Sequence, residues 1–381
     1  MIKNCYIHIP FCVRKCTYCD FASFAGKEHW MRSYVDLLLL ECDQQLASLH
    51  NPDITSIYIG GGTPSILPAE LFQCLLQGIH ARFHILPDCE WTCEANPGTL
   101  TPQWLDVARQ NGVNRLSMGV QAKQSSLLSI LGRIHEFSDV QQSVSMAKDH
   151  GIENISLDLM FGLPGQNLDM WVETLHAALE LKPRHISCYG LIPEDGTPLK
   201  RDLDTGKLTL PDENDEREMY DTAIRILHQS GFQQYEISNF ALPGYACQHN
   251  IGYWRQAYYL GIGVAASSML PCTGYPYLRK TNPSTLEEYQ SVLSGNLLPE
   301  IQFISKEEAM FETLMLGLRM NDGVNEQAFH TMHGVSLEAY RGPALRQQIQ
   351  KGLIEMSHGS YRLTRRGMDI QNSILVDLMN P

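Results

Sequence analysis

Basic residues are scarce in this chain: 29 Lys and Arg stand against 42 Asp and Glu, a formal charge of −13 over 381 residues. Proteins that grip a phosphate backbone do so with clustered cations, so no nucleic-acid partner is expected. Long apolar runs are missing as well. The longest is the four leucines at 37–40, far below the roughly 20 residues of a membrane span, and no membrane span is expected. The opening residues M-I-K-N-C-Y-I-H hold no apolar segment of signal-peptide length, so the eleven cysteines point to a reducing, cytoplasmic setting in which thiols serve metals or sit buried. A second C-x2-C pair, the usual companion in a structural zinc knuckle, is also absent.

What is present begins with C-V-R-K-C-T-Y-C, which sets Cys12, Cys16 and Cys19 in a C-x3-C-x2-C array behind a short apolar stretch. An iron–sulfur cube takes four thiolates, so three on one tight loop leave one iron open to a small molecule. From spacing alone two other fillings stay open: a structural zinc whose fourth ligand is Cys5 or His8, or three unrelated buried thiols. Cys89 and Cys93 form another C-x3-C inside a stretch that reads as strand. Like Cys42, Cys74, Cys188 and Cys272, they are expected to act as small hydrophobes without chemistry.

Residues 2–8 read as a short buried strand that delivers the cysteine loop. Helical spacing predicts a helix over 30–46, and 54–59 reads as a strand running into G-G-G-T-P-S. The alternation continues with strands over 90–94, 114–118, 155–159 and 185–189, and helices over 102–110, 138–149 and 169–181. Strands alternating with helices imply an α/β fold with a parallel sheet and right-handed crossovers, whose ligands gather at the carboxyl ends of the strands. The unusual polar residues fall at those ends: the cysteines, then the glycines 60–62 with Thr63, then Glu94, Gln121, Asp158 and Tyr189. Glycines without Cβ atoms let backbone approach a ligand closely. Glu94, in E-A-N-P, is an acceptor suited to a ribose hydroxyl or an ammonium. Arg133, in L-G-R-I-H, is either a bidentate carboxylate clamp or a solvated flanking charge. Asp158 is a charge within an apolar strand, costly unless partnered.

Beyond Tyr189 come a long loop, a helix over 214–229 and a strand in Y-E-I-S-N-F-A. C-Q-H-N-I-G-Y-W follows, then Y-L-G-I-G-V-A-A-S-S, whose small residues suggest backbone packed beside the ligand site. From residue 305 the character changes: a helix over 306–318 is followed by a helix end, a hairpin and a helix, the outline of a winged helix. Ten acidic and eight basic residues from position 300 onward favour a lid or docking surface over DNA binding.

The array C-x3-C-x-aromatic-C, with Tyr18 as the aromatic, resembles the signature of the radical S-adenosylmethionine (SAM) superfamily. The resemblance implies a partial (β/α)6 barrel of the TIM type, a [4Fe-4S] cluster on Cys12, Cys16 and Cys19, and SAM chelated to the open iron. One electron then cleaves SAM to methionine and a 5′-deoxyadenosyl radical. Carried over position by position, it sets Tyr6, Tyr18, Gly61, Gly62 and Thr63 around SAM. Glu94, Gln121, Arg133 and Asp158 complete that set.

H-N-x-x-Y-W, with His249, Asn250, Tyr253 and Trp254, is similar to the hallmark of the heme-chaperone (HemW) branch, relatives of oxygen-independent coproporphyrinogen III oxidase. That branch implies binding of heme, its transfer to an acceptor protein, and a flavodoxin- or ferredoxin-type electron donor. The alternative in the same family is oxidative decarboxylation of coproporphyrinogen III. The oxidase branch carries a further cysteine two residues after the third ligand, where this chain has Phe21, and an N-terminal extension not seen here. The chaperone is therefore the expected function, and dehydrogenase activity is not expected. His249 is either an axial heme ligand or, with Trp254, part of a hydrogen-bonded corner under the sheet. Arg14, Arg133 and Arg184 are the candidates for heme propionates. The expected divisions are residues 1–235 for the barrel with its cluster and SAM sites, 236–300 for an extension completing the sheet, and 301–381 for a small C-terminal α+β, winged-helix-like domain.

Overall fold

A computed structural model describes residues 2–47, 49 and 52–379. Its centre is six parallel strands hydrogen-bonded in chain order: β1 (Asn4–Ile9), β2 (Asp53–Gly61), β3 (His84–Ala95), β4 (Arg115–Gln121), β5 (Asn154–Phe161) and β6 (His185–Gly190). Helices connect successive strands, as right-handed crossovers of a βα repeat require. One of them, Ala69–His80, goes beyond the helices read from the sequence. It buries the stripe Leu71, Phe72, Leu75, Leu76 and Ile79, and Phe72 stacks on Trp104 with ring centres 4.4 Å apart.

Where a single strand was expected in Y-E-I-S-N-F-A, the chain makes a hairpin, β7 (Gln233–Glu236) and β8 (Asn239–Ala241). The cause is Glu236, whose carboxylate accepts the Ser238 N–H at 2.9 Å and the Asn239 side-chain amide at 2.5 Å, closing a two-residue turn. β8 pairs antiparallel with β6. On the opposite edge β9 (Tyr259–Ile262) runs parallel to β1, followed by the antiparallel strands β10 (Ser267–Cys272), β11 (Tyr275–Thr281) and β12 (Glu300–Ile304). Among the described residues this makes one twelve-stranded sheet with β12 and β7 at its edges, an opened barrel wall. The mixed α/β architecture is that of a TIM-type partial barrel with a C-terminal domain.

The small residues around Gly261 and Gly263 pack against the chain itself. A Cβ on Gly261 would lie 2.0 Å from the Ser267 carbonyl oxygen, and one on Gly263 would lie 2.5 Å from the Tyr34 hydroxyl. Their smallness serves a turn pressed on β1 and its neighbouring helix, not the ligand cavity as expected.

The C-terminal part has its own apolar core, built from Leu314, Phe329, Leu345, Ile354 and Ile374 among others. Its helices Lys306–Gly317, Glu326–His333 and Leu337–Gln350 pack with a small sheet of β13 (Val324–Asn325, between the first two helices), β14 (Ile354–Ser357) and β15 (Ser360–Leu363). Arg319 joins it to the barrel: its Nε donates to the buried Glu236 at 2.7 Å, and its guanidinium lies 4.6 Å from the Trp254 ring centre. Among the described residues no helix is long and apolar enough to cross a membrane.

The parallel strands are not apolar throughout; they alternate. In β4, Leu116, Met118 and Val120 are fully buried against the helices, while Arg115, Ser117 and Gly119 line an interior cavity. In β5 and β6 the inward positions are Asp158, Met160, His185, Ser187 and Tyr189. Period-two alternation is how a strand serves two faces, and here the inner face is polar.

Candidate functional site

The cavity inside the barrel measures about 450 Å³ and opens at the carboxyl ends of the strands. Its rim is the cysteine loop, since Cys12, Cys16 and Cys19 all line it. The loop is held from several sides. The Thr17 N–H and hydroxyl donate to the carbonyls of Leu131 and Ile130, at 3.0 and 2.8 Å. The Thr63 hydroxyl donates to the Cys12 sulfur and Arg133 Nη1 to the Cys16 sulfur, each at 3.5 Å. Burial raises the thiols of Cys12 and Cys19, against the smaller opposing pull of Arg133 and Lys15.

The fourth ligands that a zinc site would need are not on offer. Cys5 is completely buried in the core, and both nitrogens of His8 are engaged, Nδ1 with the Tyr6 hydroxyl at 2.9 Å and Nε2 with the Ala22 carbonyl at 2.8 Å. Among the described residues no three His, Cys, Asp or Glu side chains, the loop thiols included, are gathered around one metal-ion position. The loop presents its thiols to a cavity instead, and no further cysteine lines it.

Tyr18, Gly61, Gly62, Thr63, Glu94 and Gln121 reach the same cavity, as do Arg133 and Asp158. Tyr6 is not among the lining residues; its hydroxyl turns to His8. Gly61 has φ +108°, and a Cβ there would lie 2.3 Å from the His8 ring; one on Gly62 would lie 2.6 Å from the Phe11 carbonyl oxygen. The glycine run therefore lets β2 close on the base of the cysteine loop. Gln121 takes φ 67° at a bulge in the β4–β5 pairing, a left-handed conformation that costs a non-glycine residue about 1 kcal/mol or more and clusters at working sites.

Asp158 has the partners that its position demands, accepting the Ser117 hydroxyl at 3.1 Å and the Ser187 hydroxyl at 2.7 Å; burial still raises its pKa. Arg133 is a fork already in use: Nη2 donates to Asn96 Oδ1 at 2.8 Å and to the Gly119 carbonyl. Arg184 does not reach the cavity. It pairs with Glu153 at 3.5 Å and lies over the Tyr245 ring.

Glu94 accepts the Tyr58 hydroxyl on Oε1 and the Gly61 N–H on Oε2, both at 2.9 Å. Burial nevertheless pushes its carboxyl up to about 7. Since the folded value lies above the unfolded one, the stability tied to the protonated form is present near pH 4 and is lost as pH rises through about 7. The loss reaches at most about 3 kcal/mol, and less where water enters the cavity. Glu94→Gln is expected to flatten this slope. Urea unfolding of both proteins at pH 5 and pH 8 checks it, and an identical pH dependence refutes the assignment.

His249 is hydrogen-bonded on both ring nitrogens, though not to Trp254. It is 1% exposed, with Nδ1 at 2.8 Å from the Ser56 hydroxyl and Nε2 at 3.0 Å from the Tyr253 hydroxyl. Both nitrogens are committed, so axial ligation of heme iron would require breaking one of these bonds. Trp254 is not hydrogen-bonded through its buried Nε1; it packs under Arg319. The helix Gln248–Trp254 is seated by Glu90, which accepts the N–H groups of Gln248 and His249 at 3.0 Å each and the Cys247 thiol at 3.4 Å. Asn250 from this helix lines the cavity.

Arg115 is a cavity residue that the sequence reading missed. It is 1% exposed; Nη1 meets Thr92 Oγ1 at 3.5 Å and Nε has no partner. Burial opposes its charge, and the Glu90 carboxylate nearby offsets that cost. Its signal was the alternation R-L-S-M-G-V-Q, in which every second residue is polar or small.

Comparison with known proteins bears on this geometry. Residues 6–178 match the model of the Radical SAM superfamily and residues 304–370 that of the HemN C-terminal domain. The chain is 36% identical over 376 residues to the Heme chaperone HemW of Bacillus subtilis, covering 98% of each chain. It is 35% identical to the Heme chaperone HemW of Escherichia coli, covering 97% of this chain and 96% of that one. Coproporphyrinogen III oxidase (HemN) from Escherichia coli has the same fold, with a TM-score of 0.85 at 22% identity, covering 100% of this chain and 90% of that one. Likeness of this extent, on a barrel whose rim is the cysteine loop, places the chain in the HemW family of radical SAM proteins.

Proposed function

We propose that this protein is a heme chaperone: it carries a [4Fe-4S] cluster on Cys12, Cys16 and Cys19, holds SAM in the cavity, binds heme and passes it to an acceptor protein. The observation that carries this reading is the full-length likeness to relatives named heme chaperones. The donor set fits the cluster, with three thiols on one rim and no fourth among the lining residues, which leaves one iron for SAM. Bound there, the cluster supplies an electron to SAM, delivered by a flavodoxin- or ferredoxin-type donor. Tyr18 and the backbone after β2 would flank SAM, and Glu94, Gln121 and Asp158 would accept from its hydroxyl and ammonium groups. Arg133 would turn from Asn96 to the methionyl carboxylate. Residues 1–235 would form the catalytic-type barrel, 236–300 its extension and 301–381 a lid or docking module.

Coproporphyrinogen III decarboxylation is the lesser reading. The shared fold at 22% identity supports architecture alone, and Phe21 stands where the oxidase branch has its further cysteine. The test is anaerobic incubation of the reconstituted protein with reductant, SAM and either heme or coproporphyrinogen III. A stable Soret band with no porphyrin product is expected. Loss of propionate carbons in proportion to 5′-deoxyadenosine overturns the chaperone reading.

A further inference from the structure

Large apolar side chains stand in solvent around the mouth of the cavity, and they come from three separate loops. Val13 and Phe21, on the cysteine loop, are 57% and 64% exposed; Ile134, in the loop after the helix Ser125–Ile130, is 60% exposed; Ile192, after β6, is 69% exposed. Phe21 and Ile192 line the cavity itself. Val13 and Ile134 line the small recess next to it, across Arg133. Nothing in the fold requires them to be apolar, because none reaches the core. Exposed apolar side chains gathered around one opening mark a contact surface.

The charges at the mouth narrow the occupant. Arg14 and Lys15 lie between Val13 and the second ligand and line the cavity; Lys15 Nζ donates to the Phe21 carbonyl at 2.9 Å. Asp20 and Glu194 stand on the same rim. A broad acidic protein surface would meet these two carboxylates. Asp20 and Glu194 adjoin Phe21 and Ile192 along the chain, so a flat apolar molecule with two acid groups on one edge fits with that edge turned to Arg14 and Lys15.

None of the imidazoles beside the mouth stands in solvent among the described residues. His185, deeper in the cavity, has Nδ1 at 2.8 Å from the Ser156 hydroxyl and Nε2 at 2.9 Å from the Tyr235 hydroxyl. His135, in the recess, is 5% exposed with Nε2 on the Val120 carbonyl. His249 is committed on both sides.

Resting on the heme-chaperone reading, we infer that the tetrapyrrole lies across the cavity mouth against Phe21 and Ile192, with its propionates at Arg14 and Lys15, and that the protein grips the macrocycle rather than the iron. Phe21, in place of a cysteine, is then the platform that turns a reaction chamber into a holding site.

The test is fluorescence-quenching titration of the full-length, cluster-reconstituted protein with heme, metal-free protoporphyrin IX and protoporphyrin IX dimethyl ester. Heme and protoporphyrin IX are expected to bind within about threefold of one another, and the diester about tenfold more weakly. Phe21→Ser and Ile192→Ser each weaken binding about tenfold, because a hydroxymethyl group cannot cover the macrocycle as these larger apolar side chains do. Both residues are solvent-exposed, so the variants fold. Arg14→Glu with Lys15→Glu abolishes the preference for the free acid. Heme binding without protoporphyrin binding, or affinity unchanged within twofold in both serine variants, overturns the inference and leaves the chaperone reading standing. Failure of the unaltered protein to bind heme at all removes that reading and this inference with it.

Discussion

Replacing Cys12, Cys16 and Cys19 together by Ala is expected to leave a folded protein that takes up no iron–sulfur cluster. The three thiols are partly exposed at the cavity rim and none belongs to the apolar core, so their removal takes away ligands and little packing. The broad visible absorbance of the reconstituted protein and its bound iron and sulfide should fall to background, while the far-UV circular dichroism stays unchanged. Cys5→Ala is the informative companion. Cys5 is completely buried in the barrel core, so its truncation costs about 1 kcal/mol of packing and leaves iron binding intact. Iron at full stoichiometry in the triple variant would falsify the cluster assignment, and iron lost in Cys5→Ala would return Cys5 to the ligand set.

Glu41→Ala is expected to be the most destabilising single substitution outside the cavity. This carboxylate is fully buried and accepts the Gly263 N–H at 2.8 Å, the Tyr289 hydroxyl at 2.7 Å and the Asn282 amide at 2.8 Å, with Lys280 Nζ at 3.6 Å. It ties the helix Met31–Leu46 to the turn after β9 and to the helix Leu286–Leu293. Removing it leaves several buried donors and a cation without their acceptor, a loss of about 3–5 kcal/mol. Chemical denaturation reads the effect as a fall in midpoint, accompanied by exposure of the Tyr289 environment. A midpoint equal to that of the unaltered protein would mean that the network is dispensable.

Much of the site was legible because its signals are local. The cysteine spacing, the glycine run and the polar residues at strand ends each sit within a few positions of one another, and a βα repeat turns that order into a shared rim. Glu41 and Arg115 were missed although each had a local signal. Glu41 shares the buried helical stripe of Tyr34, Leu38 and Gln45, and Arg115 opens the alternating run of β4. A charged residue in such a place reads as solvated until its partners are known, and apart from Gln45, one turn on, the partners of Glu41 lie 222 to 248 positions away. His249 shows the converse: its motif was legible, but whether its ring nitrogens were free depended on Ser56, 193 positions distant.

The sequence by itself determined the six parallel strands and most of the helices between them, the three-thiol loop and the family, because periodicity and motif spacing are properties of neighbours along the chain. Only the tertiary structure decided which face of each strand lines the cavity, that the glycines close on His8 and Phe11, that Arg184 lies elsewhere and that His249 is already bonded. Those outcomes rest on hydrogen bonds and close contacts between distant segments, whose free energy exists only once the barrel has brought them together.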